Sequence, residues 1–220
     1  MIAKDLITRD VLPLSPDDTG LTALHWFDEF KVSHLPIVNG NEFIGIVTEM
    51  DIFSANSFEE SIEKHNLSPL NISVVQSQHV YAVIRLFAEY KLSLLPVVDE
   101  NNFYLGVITM PGLIDSLSTI TAVDNPGGII VLELNVNDFS LSEIAQIIES
   151  NDARLLSLYM NSQADSTRSE LTLKINRMDI QPILQTFLRY DYTIKASFFE
   201  SDYTDDLRER YNQLMNYLNI

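Results

Sequence analysis

Apolar positions along the chain alternate between a helical period and short β-branched runs, and the changes of period mark out the elements. Val80, Val83, Ile84, Phe87 and Ala88 fall at i, i+3, i+4, i+7 and i+8, one face of a helix. Leu24, Phe27 and Phe30 give a corresponding stretch earlier in the chain. Each stripe is followed by a β-branched run, Leu35-Pro36-Ile37-Val38 and Leu95-Pro96-Val97-Val98. The prolines, having no N–H for a ladder, belong at a strand start or edge. Turn residues Asn39-Gly40-Asn41 and Asp99-Glu100-Asn101-Asn102 come next, then return strands over Phe43 to Val47 and Phe103 to Ile108. Each pair predicts a hairpin, with a further helix beginning near Asp51 or Gly112.

These two stretches are copies of one unit. Ser33-His34-Leu35-Pro36-Ile37-Val38 returns as Ser93-Leu94-Leu95-Pro96-Val97-Val98, a shift of 60 residues. Phe27, Glu29 and Lys31 meet Phe87, Glu89 and Lys91 at the same shift. After one inserted residue, Gly45 and Thr48 meet Gly106 and Thr109. The copies occupy residues 1–60 and 61–123.

Beyond the turn cluster Asp124-Asn125-Pro126-Gly127-Gly128, read as the joint between domains, the order changes. Ile129 to Val136 predicts a strand, and Leu141, Ile144, Ala145 and Ile148 a helix introduced by a capping box from Ser140 to Glu143. Leu155 to Met160 is a second strand, Asn161 to Ser169 a loop, and Leu171, Leu173 and Ile175 the alternating positions of a third. Ile180, Ile183, Leu184, Phe187 and Leu188 repeat the helical spacing before a fourth strand over Tyr192 to Ser197. The order βαββαβ over 128–198 is the ferredoxin-like split unit, so the fold class is α+β. A last amphipathic helix over 202–220 carries Leu207, Tyr211, Leu214 and Leu218 on one stripe. That stripe covers either its own domain or a subunit contact.

Composition narrows the functional classes. Fourteen basic against thirty-one acidic residues give a formal charge of −17, a field that repels nucleic acid and anionic lipid. No apolar run approaches the roughly 20 residues of a membrane span. Lys4, Asp5, Arg9 and Asp10 interrupt any apolar signal core, so the expected location is the cytoplasm. The absence of cysteine excludes disulfides and thiolate metal sites, and no metal site is expected. His25, His34, His65 and His79 are scattered, and neither a His-Glu-x-x-His helix nor a Gly-rich phosphate loop occurs. No catalytic residue is assigned and the chain is read as non-enzymatic; a hydrolase with an unrecognised carboxylate pair is the remaining enzyme reading.

The order Ser-His-Leu-Pro-Ile-Val, a turn, then Phe-Ile-Gly-Ile-Val-Thr-Glu-Met-Asp resembles a CBS domain. The tandem copies over about residues 1–122 resemble the paired CBS (Bateman) module. The resemblance implies two copies packed about a pseudo-twofold axis, with clefts that hold adenosine-containing ligands. Thr48 matches the family position that donates to phosphate, and Asp51, three residues on, the one that accepts from both ribose hydroxyls. The chemistry stands apart from the resemblance: a strand end followed by a helix start exposes N–H groups, and one carboxylate satisfies two vicinal hydroxyls. An Asp in a first helical turn also favours the helix dipole, so a purely local role for Asp51 stays open. His34, Leu35, Pro36 and Thr109 complete the candidate ligand-binding set.

Two departures refine what the resemblance implies. The second copy has Gly112, preceded by Pro111, where the ribose-binding acid belongs, which points to the first copy's cleft. Ile52 to Asn56 carry no Lys or Arg to neutralise phosphates. AMP, another adenine nucleotide, a neutral nucleoside or adenosylmethionine is thus the expected ligand, with no covalent cofactor. The βαββαβ segment resembles an ACT domain, although Asn135 to Leu141 lacks the glycine at which that family's amino-acid ligands approach. The combination resembles acetoin-utilisation-type CBS proteins. It implies a homodimeric regulator answering a small-molecule effector, with a regulated protein as possible partner. A ligand-free assembly subunit and amino-acid sensing by the ACT-like domain are the alternatives.

Overall fold

The computed structural model describes residues 1–54, 57–64, 69–135, 139–162, 168–199 and 217. The predicted final helix, His65 and Glu200 onward, Tyr217 apart, therefore lie outside the described residues. Two compact units are present, Met1–Ser116 and Leu117–Ile220.

The first unit contains α1 (Gly20–Phe30), β1 (His34–Asn39), β2 (Glu42–Thr48), α2 (Glu49–Phe53), β3 (Val74–Val75), α3 (Val80–Tyr90), β4 (Leu94–Val98), β5 (Tyr104–Thr109) and the start of α4 (Met110–Ile120). The duplication shows in detail. α1 and α3 are both closed by a lysine in the left-handed region, Lys31 at φ 52° and Lys91 at φ 54°. Leu14 bridges Ile37 in parallel, as Val74 pairs with Val97 sixty residues on. Pro96 sits just before β3 begins to pair, where β4 needs no N–H on that side. The core joins Ala23 and Phe27 of α1 to Leu35, Ile37, Val47 and Ile52, and from the second copy to Leu94 and Val107.

The copies exchange their leading segments. Thr8, in the leading segment of the first copy, pairs with Val107 of β5, while Leu70, in that of the second, pairs with Ile46 of β2. The Thr8 N–H donates to Val107 O at 2.8 Å and the Ile46 N–H to Leu70 O at 2.9 Å. These crossings explain the glycine shared by both copies. A Cβ on Gly45 would stand 2.6 Å from Pro69 Cβ, and one on Gly106 2.7 Å from Thr8 O. Gly106 also holds φ at +148°, a conformation side chains disfavour. The hairpin turns meet as well: the Phe43 N–H donates to Asn102 O and the Tyr104 N–H to Asn41 O.

The second unit contains β6 (Ile129–Asn135), α5 (Leu141–Glu149), β7 (Leu155–Ser162), β8 (Arg168–Ile175), α6 (Gln181–Arg189) and β9 (Thr193–Phe198). Its strands lie in the order β7-β8-β6-β9, all antiparallel neighbours. Ile144, Ile147 and Ile148 of α5 and Ile183, Leu184 and Phe187 of α6 pack on the inward-facing residues of one sheet face. The opposite face carries the ion pairs Glu133–Arg168 and Glu170–Lys195.

Three expectations are corrected. The polar stretch expected as a loop over Asn161 to Ser169 is partly ladder, because Asn161 pairs with Glu170 and Ser162 with Ser169. The capping box of α5 is half made: Ser140 accepts from the Glu143 N–H, but the Glu143 carboxylate takes the Tyr192 hydroxyl at 2.6 Å instead. The helices expected near Asp51 and Gly112 begin two residues earlier, at Glu49 and Met110.

Candidate functional site

β2 delivers Thr48 to the start of α2, where its extended backbone makes it the N-cap. Asp51 is then the third helical residue and completes a capping box. Its Oδ2 accepts from the Thr48 N–H at 2.8 Å and from the Thr48 hydroxyl at 2.6 Å, and its own N–H donates to Thr48 Oγ1 at 3.2 Å. Both bonds to the carboxylate use Oδ2. The side chain itself is exposed.

His34 joins this pair because it lies opposite Thr48 in the β1–β2 ladder. The ring is half-buried, and burial holds its pKa below the ordinary histidine value against the opposing pull of the Asp51 charge. Its Nδ1 accepts from the Ser93 N–H at 3.2 Å and stands 3.0 Å from Ser93 Oγ and 3.1 Å from Ser33 Oγ. The Ser33 N–H donates in turn to Ser93 Oγ at 3.1 Å. Ser93, just ahead of β4, is thereby held against the β1–α2 end of the first copy. Ser33 and Ser93 were not among the expected site residues, although the 60-residue shift pairs them.

The other expected residues are placed differently. Leu35 is fully buried in the core, so its side chain faces no ligand. Pro36 is buried opposite Ile46 within the ladder and is likewise a packing residue. Thr109 occupies the second copy's equivalent of Thr48, and its Oγ1 accepts only the long 3.3 Å bond from the Gly112 N–H. With glycine there, no carboxylate completes that cap. His25 is exposed, and His79 caps α3 by accepting from the Tyr81 N–H.

A cavity of about 330 Å³ opens at the opposite end of the β1–β2 hairpin, bounded by Ile37, Asn39 and Ile44 with Pro16, Asp17 and Glu63. None of the six expected ligand residues lines it. Among the described residues no group of His, Asp and Glu could hold a metal ion, and no helix is long and apolar enough to cross a membrane.

The sequence model of the CBS domain matches residues 3–57 and 69–119, the two copies just described. The chain carries a CBS domain pair. Inosine-5'-monophosphate dehydrogenase of Korarchaeum cryptofilum is 31% identical over 107 residues, 49% of this chain and 22% of that enzyme. Homoserine O-acetyltransferase of Methanococcus vannielii is 26% identical over 122 residues, 53% of this chain and 25% of that enzyme. The chain thus spans about a quarter or less of these enzymes, a stretch about as long as the CBS pair. Among solved structures, a CBS domain pair/ACT domain protein from Thermotoga maritima has a TM-score of 0.49 at 21% identity, covering 53% of this chain and 96% of that one.

Proposed function

We propose that this chain is a non-enzymatic regulatory protein whose CBS pair binds one adenosine-containing molecule at the first copy, beside Thr48, Asp51 and His34. The carrying observation is the Asp51 carboxylate: one oxygen is spent on the helix cap, and the other stands at a strand-to-helix junction for a vicinal diol. His34 offers Nε2 as a further polar group. No Lys or Arg occurs among residues 48–54, which favours AMP, a nucleoside or adenosylmethionine over a polyphosphate. On this reading residues 128–198 are an ACT-like domain through which a cytoplasmic homodimer passes the signal to a regulated partner. Ligand does work only by favouring one arrangement over another.

Thermal unfolding of the full chain with adenosine, AMP, ADP, ATP and adenosylmethionine tests this. A ligand at a hundredfold its Kd adds about 2.7 kcal/mol, seen as several degrees. Asp51→Ala should remove the response. Flat curves across all five ligands would favour a ligand-free assembly subunit, a reading supported by the engagement of the Asp51 carboxylate in the capping box with Thr48. A response confined to amino acids would move sensing to the C-terminal unit.

A further inference from the structure

Among the described residues, His34 is an ionisable group that binds the first copy to the second at the candidate site. Because a backbone N–H can only donate, the Ser93 N–H at 3.2 Å fixes Nδ1 as an acceptor, and the ring proton then resides on Nε2. The bond therefore exists only while the imidazole is neutral. Histidine is the side chain whose charge changes between pH 5 and 8, and this one stands at a seam between two packed halves.

We propose that His34 is a proton-operated latch: neutral, it ties β4 to the first copy and leaves Asp51 to the ligand; protonated, it releases the Ser93 N–H and draws Asp51 to itself. A proton on Nδ1 places two N–H groups head to head across the seam. The serine hydroxyls at 3.0 and 3.1 Å can accept that proton, but neither restores the lost backbone bond. The charged groups around the ring set the direction. On α2 the Asp51 charge acts on the imidazole, and Glu49 begins the same helix, its N–H donating to Ser33 O. Lys31, closing α1, is paired with Asp28 at 2.7 Å. From the second copy Ser93 is uncharged, as is Met110, whose N–H donates to Ser93 O; Lys91 closes α3 two residues before Ser93. The imidazolium thus has Asp51 as counter-ion, and a carboxylate shared between it and Thr48 accepts less well from a diol. The coupling of proton to ligand rests on the adenosine reading of the site; the latch itself does not.

Two measurements on the full chain separate these. In imidazole NMR, His34 should show an unprotonated Nδ1 at pH 7.5 and a midpoint below the ordinary 6.5, with the Ser93 amide moving at the same midpoint. A midpoint at or above 6.5, or a Ser93 amide that ignores the transition, overturns the latch. Calorimetry with adenosine, which does not titrate in this range, reads the coupling. Its Kd should weaken up to tenfold for each pH unit below the midpoint, and in His34→Asn the ratio between pH 5.5 and 7.5 should collapse to about one. A ratio that survives in His34→Asn overturns the coupling. Absence of binding at either pH by adenosine and by AMP, ADP, ATP and adenosylmethionine alike overturns the ligand reading, while the ring and Ser93 signals still decide the latch.

Discussion

The Ser33 N–H donates to the hydroxyl of Ser93, its own counterpart in the duplicated unit, 3.1 Å away across the seam. The return bond goes to His34 because the residue after Ser33 carries an acceptor, whereas the residue after Ser93 is Leu94. Ser93→Ala should therefore cost about 1 kcal/mol by leaving the Ser33 N–H unpaired. A drop of a few degrees in the unfolding of the first unit, followed by calorimetry, checks this.

Gly112→Asp should rebuild the missing box. A Cβ there meets only Thr109 Oγ1 at 3.3 Å, and an acid in the first turn of α4 suits its dipole. Loss of a helical glycine and gain of a cap together predict about 1 kcal/mol of added stability. If the adenosine reading holds, titration calorimetry should also count two nucleosides per chain where the parent binds one.

The depressed pKa of His34 makes stability depend on pH with a defined sign. The unfolded chain binds this proton more readily than the folded one, so stability falls as pH drops below 6.5 and levels off once pH passes below the folded pKa. Denaturant midpoints between pH 5 and 8, taken as the difference between the parent and His34→Asn, should show this slope.

Gly106→Ala should destabilise by about 2 kcal/mol or more, since the added methyl meets Thr8 O at 2.7 Å in a backbone conformation already costly for alanine. Equilibrium unfolding in urea measures it. Gly40→Ala, where φ is +61° and a Cβ meets nothing within 4 Å, should cost less.

Much of this arrangement was legible from periodicity. The helices of both units follow from apolar stripes such as Val80 to Phe87, and the hairpins from the Leu-Pro runs. The first copy's site was legible only in part. Thr48 and Asp51 stand at the spacing of a ligand pair and also at that of a capping box, and sequence spacing cannot separate roles that need the same geometry. Leu35 and Pro36 adjoin the site in the chain, but β1 is buried on both faces from Leu35 to Val38, so neither side chain is left for a ligand. Ser93 was missed because it reaches His34 from 59 residues away, through a packing of copies that no local pattern encodes. The crossed segments at Thr8 and Leu70 escaped for the same reason, their only trace being the recurring glycine.

Those crossings make each half a lender to the other. Severed between residues 57 and 69, the first unit would yield fragments that each lack one edge of their own sheet and hold the piece that belongs to their companion. Such fragments are mutually obligate: mixed, they should reassemble by complementation, and apart, each would expose an unfinished ladder.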